Sequence, residues 1–179
     1  MGGGDRLASC TRSRRGSYPR KPVPVTFRHL PTSARAVAVA ASQAVAGAQR
    51  HDRDALDAGV RALAVAEGSG LVLGAVVRLL IEKLHPAGVG GEDIRRILTD
   101  VVPAARQWQP AVDPHAMLGL LAGALGVHDR DDHAPPPTPE AGARHAALLI
   151  AHLLGPDRPP VDGYLTAAFA EIERGERHD

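Results

Sequence analysis

A single all-α domain, one compact bundle of six or seven short helices behind a disordered basic N-terminal tail, is the fold this chain predicts. Three observations predict it. Apolar residues recur at helical spacing through most of the chain. The apolar stretches are bracketed by start and stop residues: Asp113-Pro114 opens one that Gly126 closes, and Thr138-Pro139-Glu140 opens the next, which ends at Gly155-Pro156. Asp and Thr accept hydrogen bonds from the orphan amides of a first turn, and Pro at the first helical position loses none. Gly just past the end takes a left-handed cap without strain. Finally, hydrophobic residues make up 44% of the 179 residues and aromatics only 3%. The core must therefore be Ala, Leu, Val and Ile, which favours closely spaced helices over a large cavity. The length suits one domain with a real core rather than two.

Residues 1–31 are rich in Gly, Ser, Arg and Pro, lack periodicity and read as the disordered tail. The helical domain is expected to span 32–174, with 175–179 a frayed, charged end. Thr32 or Ser33 is expected to cap a first helix running to about Arg50. Its inward face (Val37, Ala41, Ala44, Val45, Ala48) is mostly Ala, so it should pack closely and bury little. His51-Asp52-Arg53-Asp54 makes a turn into a second helix with Leu56, Val60 and Leu63 on one face, where Asp57 and Arg61 are spaced to pair. Ser69-Gly70 precedes a third helix from Leu71 to His85, whose only polar strip is Arg78, Glu82 and His85. An apolar belt this wide implies burial on most sides, and makes this helix the expected hub.

The fourth helix is the most regular: Ile94, Ile97, Leu98, Val101 and Val102 follow i, i+3, i+4, i+7, i+8. Pro103 lacks the amide that would bond to Thr99 and is expected to kink or end it, with Trp108 covering that end of the core. The fifth, Pro114 to Gly126, is almost wholly apolar. Gly119 and Gly123, one turn apart on it, are expected to let the backbone of the central helix approach closely. After a charged, proline-rich loop, the sixth helix should bury Ala147, Leu148, Ile150, Ala151 and Leu154. The seventh should bury Leu165, Ala168, Phe169 and Ile172.

Charge is unevenly spread. Arg6, Arg12, Arg14, Arg15, Arg20, Lys21 and Arg28 against Asp5 give the first 30 residues a net +6, which leaves −5 on the rest of a chain whose total is +1. A mildly acidic body does not attract nucleic acid or an anionic membrane. Lys occurs only at Lys21 and Lys83, and with abundant Ala, Gly and Pro the Arg bias reads as a GC-rich, bacterial coding sequence. Cys10 is the only cysteine, so no internal disulfide forms and a reducing, cytoplasmic location is expected. Leu7-Ala8-Ser9-Cys10 and Arg14-Arg15 resemble secretory signals but lack the apolar core such signals need. No apolar run reaches the roughly twenty residues of a membrane-spanning helix.

Candidate sites are few. His-Asp-Arg-Asp occurs at His51 and again at His128. The second copy gathers His128, Asp129, Asp131, Asp132 and His133, residue types that bind divalent metals. Both copies follow an apolar helix, where His suits the dipole, and the Asp residues of the first suit the next N-terminus. The second also runs into Pro135-Pro136-Pro137, a poor support for fixed ligand geometry. Glu82-x-x-His85 matches half of a di-iron motif, and no second copy exists. His145 and His152 share a helix face and are expected at its polar boundary. Residues 84–98 resemble a divergent helix-turn-helix that would bring Arg95 and Arg96 to a DNA groove, but Glu92 and Asp93 offset them. Phosphate loops, dinucleotide fingerprints and nucleophile elbows are absent from the sequence.

The expected function is thus a non-enzymatic interaction or regulatory module, engaging a protein partner or a second copy of itself, with no cofactor, no nucleic acid and no membrane insertion. A DNA-binding regulator is the alternative, and a small-ligand or metal-binding helical protein comes third.

Overall fold

Seven helices occupy residues 27–127 and 137–177, the residues that the computed structural model describes: α1 (Thr32–Arg50), α2 (Arg53–Ala64), α3 (Ser69–Leu84), α4 (Gly91–Arg106), α5 (Pro114–Ala124), α6 (Pro139–Leu153) and α7 (Asp162–Glu176). No strand occurs among the described residues. The capping residues act as their chemistry demands. The carboxylate of Asp52 accepts from the Ala55 amide at 3.0 Å, that of Asp113 from His115 at 2.9 Å, and the Thr138 hydroxyl from Ala141 at 3.2 Å. Pro114 and Pro139 occupy first helical positions, and Gly126 and Gly155 adopt φ of 73° and 80° beyond the helix ends.

The body begins earlier than the boundary at residue 31. Phe27 is fully buried and Leu30 nearly so. The Arg35 guanidinium fastens this turn, donating to the carbonyls of Phe27 (3.2 Å), Arg28 (2.9 Å) and Leu30 (2.8 Å). Pro31, not Thr32 or Ser33, caps α1, with no side-chain bond; its carbonyl accepts from the Arg35 amide. The tail proper, residues 1–26, lies outside the described residues, as do 178 and 179 of the C-terminal end.

The hub is α6 rather than α3. It packs against α1, α2, α3, α4 and α5, and from Ala143 to Leu153 only Arg144, Ala151 and His152 escape full burial. Arg144 pairs with Asp57 of α2, which therefore does not serve Arg61 as its helical spacing suggested. α3 buries Val72, Leu73, Val76, Val77, Leu80 and Ile81, but Leu71 is 62% exposed and Leu84 half-exposed. Its Arg78 bridges to Glu82 and to Glu171 of α7, and Lys83 donates to the Tyr164 hydroxyl at 2.9 Å. α4 runs through Pro103 to Arg106. Pro103 sits on the exposed side, and Thr99, whose carbonyl loses its helical partner, is exposed as well, so water takes the place of the missing amide.

Close backbone contact does occur, at other glycines than expected. α1 and α2 form a hairpin in which a Cβ on Gly59 would lie 2.6 Å from the Ala44 nitrogen and 2.8 Å from the Ala40 carbonyl oxygen. A Cβ on Gly47 would lie 2.5 Å from the Leu56 nitrogen. The Ala-rich face of α1 is what permits this approach. A Cβ on Gly119 or Gly123 would meet nothing within 4 Å, because α5 turns that face outward. No helix among the described residues is long and apolar enough to cross a membrane.

Candidate functional site

Two concave regions stand out among the described residues. The first is a groove of about 560 Å³ between α3 and α5, closed at one side by α7. Gly70 and Gly74 line it from α3, and Gly119 and Gly123 from α5. In all four, a Cβ would find open space. Leu71, Leu120 and Ile172 also line it, Leu71 being 62% exposed. Its two charged side chains, Arg78 and Glu171, are paired with each other. The cause lies in α5: of its almost wholly apolar sequence only Met117 and Leu121 are buried. Leu120 and Ala124 pack partly against the core, while Gly119 and Gly123 are exposed.

The second is a cleft of about 290 Å³ where the last turns of α1, α4 and α6 converge. Its floor is apolar, with Val101, Ala105, Leu148 and Ala151; Trp108, His51, His152 and Arg158 supply the chemistry. His51 ends α1 in the left-handed conformation and stacks on Trp108, ring centroids 4.9 Å apart. Trp108 thus lies over the core's edge, as the sequence suggests, but as one wall of a cleft. The Gln49 amide donates to the Pro159 carbonyl at 3.1 Å and so ties down the loop that bears Arg158.

The two histidines of α6 have different fates. His145 is buried in the core, not at a polar boundary. Its Nε2 accepts from the Asp113 amide at 2.9 Å while Nδ1 lies 2.7 Å from the Ala141 carbonyl, the pattern of a neutral ring protonated on Nδ1. It holds the start of α5 to α6. His152 is half-buried in the cleft, and burial holds its pKa below the ordinary histidine value, with Asp100 of α4 pulling weakly the other way. His51 and Arg158 are the other titratable groups lining that cleft.

This depressed pKa has a consequence for stability. The unfolded chain binds a proton at His152 more readily than the folded chain does. Stability is therefore undiminished above the unfolded histidine value near 6.5, and falls as the pH drops from there towards the lower folded value. His152→Gln is expected to flatten this part of the acid limb, measured as denaturation midpoints across mildly acidic pH. An unchanged slope in the variant would exclude His152 as its source.

The other sequence candidates are dispersed. Arg95 and Arg96 lie on the exposed face of α4, Arg95 paired with Glu92, and α4 turns to pack on α5 and α6. Asp93 accepts from the Gly90 amide at 2.9 Å. Glu82 serves Arg78, and His85 faces Asp93 at 3.8 Å. The cluster His128, Asp129, Asp131, Asp132 and His133 lies outside the described residues; among those described, no three His, Cys, Asp or Glu side chains gather to hold a metal. The cleft was missed because its residues are remote in sequence; the one available signal was the lone Trp just beyond a helix end. No protein-family model matches the chain, and no curated protein or solved structure matches it either.

Proposed function

We propose that this chain is a non-enzymatic interaction module whose docking face is the α3–α5 groove, and that the groove's occupant is a second copy of the chain. The observation that carries this is the outward turn of α5, which leaves a glycine-lined furrow beside the exposed Leu71. A soluble domain rarely leaves a large contiguous apolar patch uncovered. A two-fold interface must be self-complementary, and this face carries both halves of the fit: Leu71 as the ridge, the four glycines as the furrow. Its only charges neutralise each other, so a highly charged partner gains nothing there.

Sedimentation equilibrium on the full chain tests this. The wild type is expected to approach twice the monomer mass as concentration rises. Leu71→Lys should remain monomeric while keeping its helical spectrum, since an exposed position tolerates substitution. A wild type that stays monomeric at every concentration, or a Leu71→Lys variant that associates as strongly, would overturn the proposal.

A further inference from the structure

Only two non-glycine residues among the described residues have positive φ, His51 at 56° and Arg158 at 50°, and both line the cleft at the ends of α1, α4 and α6. An L side chain is strained in this conformation, and glycine would relieve it at either position, as it does at Gly68 and Gly155. Strained residues concentrate where a side chain has work at a binding site. His51 spends its position on Trp108. The Arg158 side chain has no ion pair or hydrogen bond within the described residues, although the loop beneath it is fastened by Gln49. Arg158 is exposed, so its guanidinium is an unpaired cation at the rim of the cleft among the described residues.

The lining narrows what that partner is. No acidic side chain lines the cleft, and Arg158 repels an ammonium ligand. The last turns of three helices bring their negative dipole ends to the same place, which works against any anion and most against the higher charge of a phosphate. A carboxylate carries one spread charge and matches a guanidinium in bidentate geometry. The apolar floor and the Trp108 wall suit a flat hydrocarbon ring, and about 290 Å³ lies at the small end of the range for ligand pockets. We infer that the cleft binds a small aromatic monocarboxylate, its carboxylate on Arg158 and its ring between Trp108 and the apolar floor. This inference is independent of the α3–α5 groove.

Trp108 is the only tryptophan, so its fluorescence reports on this cleft alone. Benzoate added to the full chain should change that fluorescence saturably. Benzyl alcohol, benzylamine and inorganic phosphate should bind at least roughly tenfold more weakly. Arg158→Gly should lose benzoate binding by a similar factor while melting no lower than the wild type, because it removes the strain together with the guanidinium. Arg158→Gln, which keeps the left-handed backbone, should lose binding too. A benzoate response that does not saturate, an equal response to benzyl alcohol, benzylamine or phosphate, or wild-type affinity in either variant would overturn the assignment.

Discussion

Leu149→Asp is expected to leave no cooperatively folded protein. Leu149 is fully buried on α6, the helix that five others pack against. A carboxylate there would lose its hydration without gaining a partner, a cost of several kcal/mol against a total stability of about 5–15 kcal/mol. Leu149→Ala, which leaves only a cavity, should cost about 2–5 kcal/mol. The contrast is Leu71→Asp on α3, where the leucine is 62% exposed; at low protein concentration its stability should stay within about 0.5 kcal/mol of wild type. Chemical denaturation followed by circular dichroism checks all three. A sharp transition near the wild-type midpoint for Leu149→Asp would mean that α6 is not the centre of the fold.

Gly59→Ala carries the second large effect, and its sign is opposite to that expected from helix propensity. Propensity alone favours Ala over Gly within a helix by up to about 1 kcal/mol. At Gly59 the added Cβ would meet main-chain atoms of Ala40 and Ala44 at 2.8 Å or less, and a backbone cannot rotate aside as a flexible side chain can. α1 and α2 must separate, loosening Leu56, Val60 and Leu63 as well, so a net loss of about 2–3 kcal/mol is expected. Gly123→Ala meets nothing and should raise the stability of the isolated chain. Equal stability of Gly59→Ala and wild type would show that the α1–α2 contact is looser than these distances.

Much of this fold is legible in the sequence because capping is local chemistry. Asp113-Pro114, Thr138-Pro139, Gly126 and Gly155 act where they stand, and the Leu56, Val60 and Leu63 stripe needs no tertiary knowledge. What failed depends on which helix faces which. α3 and α5 are the most apolar helices, and their apolarity was read as burial; in the structure part of it forms an uncovered face. α6 carries Arg144, His145 and His152, polar residues that suggest a boundary face, yet Arg144 finds Asp57 and His145 finds two backbone partners. Gly47 and Gly59 were overlooked in favour of Gly119 and Gly123 because all four sit among apolar residues. The Ala40, Ala44 and Ala48 row of α1 was the available clue, since small residues on one helix let a glycine on the next come close. The cleft had no comparable signal, because three helix ends assemble it from distant positions.

The most direct test of the docking face is the melting temperature as a function of protein concentration, for wild type and Gly123→Leu. Association through the groove stabilises the native state by mass action, so the wild-type melting temperature should rise with concentration. At position 123 a Cβ meets nothing in the single chain, and the rest of a leucine projects into the furrow, so the variant's melting temperature should be independent of concentration. A wild-type melting temperature that stays constant over the whole range, or the same rise in Gly123→Leu, would contradict the assignment of this groove as the place where two copies meet.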